Sequence, residues 1–144
     1  MRLLCDNAAK QISMKPKLYL DTSIPSAYFD YSKPMRQLIT QKWFELESVN
    51  YELYMSLIGI GEIEKLSNVT KKDNIKKLIF NNKIKILNFD DNVIKLSREY
   101  IEQGAIPGSE PEDAMHIAIA TLNRIELLEI GSLEIYGGSK YGNL

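Results

Sequence analysis

Residues 17–25 have the sequence KLYLDTSIP, in which a short apolar run ends in an acid and leads directly into a helix signal. The run Lys17–Asp21 predicts a buried strand. Thr22 then stands where a hydroxyl can cap a helix, and Pro25 falls in that helix's first turn. A strand that passes directly into a helix is typical of a βαβ unit.

The same alternation continues along the chain. Further strands are predicted at Tyr51–Met55 and Ile84–Leu87. Apolar residues at helical spacing predict helices at residues 35–49, 56–66, 71–80 and 93–101. Ser109–Glu112 predicts a capping box ahead of Asp113–Leu122, a helix that is apolar on most of its circumference. The pattern predicts an α/β fold, a single domain with a parallel β-sheet and helices on both faces.

Composition excludes several classes of protein. The 144 residues carry a formal net charge of −1, so no overall basic excess marks a nucleic-acid binder, although a local basic groove remains compatible. One cysteine and one histidine exclude an internal disulfide, a cysteine zinc cage and sites with two histidine ligands. No apolar run approaches the roughly 20 residues of a membrane span. We therefore expect a soluble cytoplasmic protein.

Three acids follow the predicted strands or begin the apolar helix, near the edge of the sheet where ligands bind. Asp21 ends the first strand, Glu62 lies on the helix after the second strand, and Asp113 opens the apolar helix. In parallel sheets, ligands bind beyond the carboxyl ends of the strands. Two carboxylates ~5 Å apart repel by about 3 kcal/mol at an effective dielectric constant of 20. A hard cation such as Mg²⁺ or Mn²⁺ offsets that repulsion and suits phosphodiester hydrolysis.

Each acid also has an ordinary structural explanation. Asp21 can cap a helix, Glu62 can be a solvated helical acid, and Asp113 can complement the dipole of its helix. On the residues alone, both interpretations stay open. A nucleotide-binding module is disfavoured, because no glycine-rich phosphate loop follows any predicted strand.

Three motifs carry a resemblance to a known family. Leu18–Ser23 (LYLDTS), Ser56–Ile63 (SLIGIGEI) and Asp113–Ala120 (DAMHIAIA) together resemble PIN-domain ribonucleases, and most closely the VapC-like toxins of type II toxin–antitoxin systems. The resemblance extends from about residue 17 to residue 123. It implies a parallel sheet between helices and hydrolysis of single-stranded RNA. It also implies a cognate antitoxin protein as partner, and often a homodimer.

The resemblance assigns roles to individual positions. Asp21, Glu62 and Asp113 match the acids that hold Mg²⁺ or Mn²⁺, and Thr22 or Ser23 matches a hydroxyl that supports the site. The family places a fourth acidic or amide residue on a strand after the last core helix. Here that motif is altered, and Glu129 is the candidate for a fourth ligand.

The altered terminus leaves two functions open and sets the predicted domain boundaries. One is a metal-dependent endoribonuclease; the other is a catalytically weak or inactive homologue that acts by binding an antitoxin. We predict an N-terminal extension at residues 1–13, a PIN-like domain at 14–128 and an atypical, glycine-rich tail at 129–144.

Overall fold

The structure of the protein, a computed structural model, describes residues 15–129. Its strands are β1 (Lys17–Leu20), β2 (Glu52–Ser56), β3 (Lys85–Leu87) and β4 (Leu127–Glu129). Its α-helices are α1 (Ser23–Ala27), α2 (Pro34–Leu46), α3 (Leu57–Glu64), α4 (Val69–Asn81), α5 (Asp91–Glu102) and α6 (Pro111–Leu122). A short 3₁₀ turn at Ser48–Asn50 leads from α2 into β2. The predicted alternation of strands and helices is therefore confirmed, with bounds that differ by a few residues.

The four strands form one all-parallel sheet in the order β3-β2-β1-β4. β1 lies in the interior, with Leu18 paired to Leu53 of β2 on one side and to Leu127 of β4 on the other. The chain runs outward from β1 to β3 and then returns to place β4 on the opposite side of β1. The strand order therefore reverses between β1 and β4, and such a switch point is where open parallel sheets bind ligands.

Helices cover both faces of the sheet, which confirms the predicted architecture. Leu18 and Leu20 of β1 belong to a core that includes buried side chains from α1, α2, α3 and α4. Tyr19 lies on the opposite face, in a second core with side chains of α5 and α6. This alternation follows from the period of two in a β-strand, which turns successive side chains to opposite faces. Because both faces are covered, β1 is apolar along nearly its whole length.

Helix starts follow local chemistry, and one predicted start is wrong. Asn68 and Asp90 cap α4 and α5 by accepting hydrogen bonds from backbone amides in the first turn. The predicted capping box with Ser109 as N-cap does not form, since α6 begins at Pro111 without a side-chain cap. Proline is favoured at the first helical position and disfavours helical geometry in the residue before it, so the start moves past Ser109.

The predicted cap of the first helix is also wrong. Thr22 occupies the N-cap position of α1 but makes no side-chain bond to the helix amides. The Asp21 carboxylate instead accepts a hydrogen bond of 3.0 Å from the Ser23 amide. A charged acceptor makes a stronger bond to an amide than a hydroxyl does, which explains the exchange of roles.

The predicted terminal segments lie almost wholly outside the described residues. This applies to the extension at residues 1–13 and to the tail at 129–144, apart from the backbone of Glu129 in β4. The boundaries of the domain therefore stay predictions. Within residues 15–129, no helix is both long enough and apolar enough to span a membrane.

Helix α4 offers a test of whether burial or side-chain size controls stability. Ile75 is fully buried, whereas Phe80 on the same helix is 83% exposed. We expect Ile75→Ala to lower the free energy of unfolding by about 2–5 kcal/mol, because it leaves a cavity in the core. Phe80→Ala removes a larger side chain and should change it by less than about 0.5 kcal/mol. Urea denaturation of both variants measures the difference; equal losses would contradict the assigned orientation of α4.

The two glycines of α3 provide a second matched pair. A Cβ atom on Gly59 would lie 3.1 Å from Met55 Cε and 3.2 Å from Thr22 Oγ1, whereas one on Gly61 would meet nothing within 4 Å. Gly61→Ala should raise the free energy of unfolding by about 1 kcal/mol through helix propensity alone. Gly59→Ala should gain clearly less, because Met55 and Thr22 must shift. Equal stabilisation in urea denaturation would show that α3 does not approach Thr22 this closely.

Candidate active site at the carboxyl edge of the sheet

Asp21 lies immediately after β1, at the switch point of the sheet. Its side chain is almost fully buried, with the residue 8% exposed. One carboxylate oxygen accepts a hydrogen bond of 3.0 Å from the Ser23 backbone amide and a second, short one from the Ser23 hydroxyl. These two bonds hold the carboxylate in one orientation. The Ser23 carbonyl in turn accepts a 3.4 Å bond from the Arg36 guanidinium.

Glu62 projects from α3, which follows β2 without an intervening loop. Its side chain is 23% exposed, and Oε1 lies 3.2 Å from His116 Nε2. Burial opposes ionisation, but hydrogen bonds with His116 and Thr22 outweigh it, and the pKa of Glu62 falls below its usual range. The positive charge of nearby Lys65 contributes in the same direction. Glu62 is therefore an ionised carboxylate at neutral pH.

Thr22 connects these two acids. It follows Asp21 in the chain, and its hydroxyl is a hydrogen-bond partner of Glu62. The same hydroxyl lies 3.4 Å from the Gly59 carbonyl oxygen. A hydroxyl has a single hydrogen, so it donates to one of the two acceptors at a time. The predicted hydroxyl residues thus lie beside the acids, with Ser23 contacting Asp21 and Thr22 contacting Glu62.

Behind Glu62 lies a buried polar group. His116 of α6 is 2% exposed, and its Nδ1 is 2.6 Å from the Tyr19 hydroxyl, which is also 2.8 Å from the Ser56 hydroxyl. Burial raises the pKa of Tyr19 well above its usual range, and the charges of Asp21 and Glu62 raise it further. Both acids therefore act on the same phenol, which locates Asp21 and Glu62 in one electrostatic environment.

Asp113 lies in the first turn of α6 and is half-buried. It precedes His116 by three residues, a spacing that puts two side chains on the same face of a helix. Since His116 bonds Glu62, Asp113 lies on the face of α6 that is directed toward Glu62. The three predicted acids therefore stand on three different elements, with Asp113 on the face of α6 that carries His116.

The carboxylates of Asp21 and Glu62 are donors of the kind that a divalent cation such as Mg²⁺ binds. Mg²⁺ is usually bound by one or two carboxylates, with water and phosphate completing its shell, and Asp21 and Glu62 supply two carboxylates in one environment. Among residues 15–129, no group of three or more His, Cys, Asp or Glu side chains is close enough to hold a metal ion. The two carboxylates fit a hard cation in donor type, and water and phosphate would have to complete its shell.

For Glu129, the candidate fourth ligand, the structure describes only the backbone. In β4, Glu129 is paired with Leu20, the residue before Asp21, so the strand ends at the same edge as the candidate site. Glu126, a second acid of this segment, is exposed and precedes β4, which places it at the amino end of the sheet. The strand β4 itself was not predicted, because three residues are too few to show a period.

The lysines of residues 71–85 are partly neutralised. Lys72 and Lys76 form ion pairs with Glu64, and Lys85 pairs with Glu52. Lys71 instead lies close enough to Asp30, after α1, to help lower the pKa of that carboxyl, to which bonds from Ser32 contribute most. Clefts of about 630 and 540 Å³ are lined by other residues than the three acids, so neither is the candidate site.

Sequence patterns did not identify two of the residues in contact with the site. Tyr19 was predicted only as part of a strand, and Ser56 only as the start of a helix. A buried tyrosine or serine needs a hydrogen-bond partner, and this requirement was the available signal. His116 was predicted to be a packed residue or one that supports the site; the structure shows it buried and hydrogen-bonded to Glu62.

A search of curated proteins finds no match. Among solved structures, the fold is similar to a chain in the crystal structure of VapBC2 from Rickettsia felis bound to a DNA fragment from their promoter. The TM-score is 0.50 and the identity 19%, covering 78% of this chain and 96% of that one. At this identity, the similarity shows the fold alone.

The sequence itself matches the PIN domain family over residues 18–130. The match includes Asp21, Glu62 and Asp113 and extends from β1 to the end of β4. PIN domains are generally nucleases, and they generally use divalent metal ions. The parallel sheet, the helices on both faces and the acids at its carboxyl edge agree with this match, and the chain belongs to the PIN domain family.

Proposed function

We propose that this protein is a metal-dependent endoribonuclease that hydrolyses single-stranded RNA, and that it is the toxin of a toxin–antitoxin pair. The observation that carries the proposal is the placement of Asp21 and Glu62 in one environment at the switch point, in a chain of a nuclease family. Open parallel sheets bind their ligands at that switch point.

The proposed metal is Mg²⁺ or Mn²⁺, with Asp21, Glu62 and Asp113 as its protein ligands and Glu129 as a candidate fourth. When bound, such a cation stabilises the charge that develops on the phosphate and generates a nucleophile from water near neutral pH. Carboxylates are the oxygen donors that these hard ions prefer.

The chain's own residues orient the acids and attract the substrate. Ser23 fixes the Asp21 carboxylate through two hydrogen bonds, and His116 and Thr22 contact Glu62. Lys65 lies near Glu62, so one positive charge stands beside the acids. Such lysines attract an RNA backbone without reading its sequence.

The proposed partners follow from the likeness in fold to VapBC2, whose structure contains both proteins with promoter DNA. We propose a cognate antitoxin protein as the partner of this chain, a homodimer as its assembly and the cytoplasm as its location. The exposed apolar side chains of α2, which include Met35, Leu38 and Leu46, are compatible with a protein partner.

A second candidate function has one observation in its favour. In the described residues, no three acidic or histidine side chains form a group that could hold a metal. A PIN homologue with weak or no catalysis that acts by binding an antitoxin is consistent with that arrangement. The two candidates differ in whether metal-dependent cleavage occurs at all.

The chain contains a matched control for Asp21. Asp30 accepts bonds from the Ser32 amide and hydroxyl, as Asp21 does from Ser23, but it lies outside the candidate site. We expect Asp21→Asn to reduce cleavage of labelled single-stranded RNA in Mn²⁺ or Mg²⁺ by about 100-fold or more, because several kcal/mol of charge stabilisation are lost. Asp30→Asn should cleave like the wild type.

The same two variants test whether the protein is toxic to a bacterial cell. Induced expression of the wild-type chain and of Asp30→Asn in a bacterial host should arrest growth, and Asp21→Asn should not. Cleavage must also stop in EDTA. A folded wild-type protein that cleaves no RNA with either metal would reject the nuclease and favour the antitoxin-binding homologue.

Metal binding provides a prediction that is independent of catalysis. Glu62 and Glu64 lie on the same helix, but Glu64 is paired with Lys76 and Lys72. We expect Glu62→Gln to weaken Mn²⁺ binding, measured by calorimetry, by about 10-fold or more, because a charged ligand becomes neutral. Glu64→Gln should bind as the wild type does. Equal affinities in all three proteins would remove Glu62 from the proposed ligands.

A further inference from the structure

A buried hydrogen-bonded chain leads from the centre of the sheet to Glu62. The Ser56 and Tyr19 hydroxyls are 2.8 Å apart, Tyr19 Oη is 2.6 Å from His116 Nδ1, and His116 Nε2 is 3.2 Å from Glu62 Oε1. Ser56 and Tyr19 are fully buried and His116 is nearly so, which leaves solvent little access to these bonds. The four residues belong to β2, β1, α6 and α3 in turn, so the chain ties together four elements.

The end groups of the chain determine which atoms carry protons. A carboxylate can only accept hydrogen bonds, so the 3.2 Å bond between His116 Nε2 and Glu62 Oε1 places a proton on Nε2. The Tyr19 hydroxyl carries one proton and has two hydrogen-bond partners, the Ser56 hydroxyl and His116 Nδ1. That proton goes to Ser56 when Nδ1 is protonated, or to Nδ1 when it is not. In both arrangements, Nε2–H donates to Glu62.

We propose that Tyr19 and His116 are positioning residues that hold the Glu62 carboxylate in the orientation in which it binds the metal. This inference rests on the proposed function. Glu62 stands on an eight-residue helix that contains two glycines, and its side chain has three rotatable bonds. The imidazole restricts that freedom, and Tyr19 restricts the imidazole. Partners of this kind typically change metal affinity by 10- to 100-fold.

The chain offers a matched control for Tyr19 on the neighbouring strand. Tyr54 is paired with Tyr19 in the sheet, belongs to the same core and is 9% exposed, but its hydroxyl donates to Glu52. We expect Tyr19→Phe to weaken Mn²⁺ binding, measured by calorimetry, by about 10-fold. Tyr54→Phe should leave the affinity unchanged. Urea denaturation of both variants confirms that each is folded.

Substitutions of the imidazole separate its hydrogen bond from its volume. His116→Leu fills much of the same space but cannot donate, and it should lose about 10- to 100-fold in Mn²⁺ affinity. His116→Gln keeps an N–H donor and should recover part of that loss. A Gln variant that binds as weakly as the Leu variant, while both remain folded, would overturn the role of the donated bond.

The metal-free protein provides a second readout. His116 is the sole histidine of the chain, so its ring signals in a ¹⁵N NMR spectrum need no assignment. At pH 7 the wild type should show a protonated Nε2 that exchanges slowly with water. Tyr19→Phe should shift the Nδ1 signal and speed that exchange, and Tyr54→Phe should do neither.

Each outcome decides the inference. A wild-type ring without a proton on Nε2 overturns it, as does a Tyr19→Phe variant with unchanged ring signals and unchanged Mn²⁺ affinity. Equal weakening by Tyr54→Phe also overturns it, since the effect would then be general. If the wild type binds no Mn²⁺, the metal of the proposed function fails, and the ring spectrum of Tyr19→Phe alone decides whether the buried chain holds His116.

Discussion

Burial of the Tyr19 hydroxyl is the constraint on which the site depends. β1 is covered on both faces, so its tyrosine brings a polar group into the core, and a buried hydroxyl without a partner costs about 1–3 kcal/mol. Ser56 and His116 meet that requirement. His116 is buried in turn, and its second nitrogen is satisfied by Glu62. The need to pair one phenol thus determines where an acid of the candidate site stands.

This dependence explains how much could be predicted from the sequence. The alternation of strands and helices, the parallel sheet and the apolar character of α6 all follow from local patterns, and all were predicted. The start of α6 was not, because Pro111 outweighs a capping signal at Ser109. The contact between Tyr19 and His116 joins residues 97 positions apart, and no local pattern contains it. The strand β4 was missed because three residues are too few to show a period.

The lysines act on acids in different parts of the fold. Glu64 and Glu52 are paired with lysines, and these partly exposed pairs contribute little to stability. Lys65 acts on Glu62, and Lys71 and Lys33 act on Asp30 after α1. The fold therefore divides the lysines of residues 71–85, because it pairs Lys72, Lys76 and Lys85 with acids.

The two aspartate turns show that position, rather than local motif, gives Asp21 its role. Asp21–Ser23 and Asp30–Ser32 both use the aspartate to accept bonds from the amide and hydroxyl two residues later, a common local turn. At Asp30 the turn joins α1 to α2 on the surface, and its charge is met by solvent and nearby lysines. At Asp21 the same turn follows an interior strand at the switch point, where the carboxylate is buried near a second acid. The proposed cation therefore belongs at Asp21, where the charge of a second acid, Glu62, acts on the same buried phenol, rather than at Asp30.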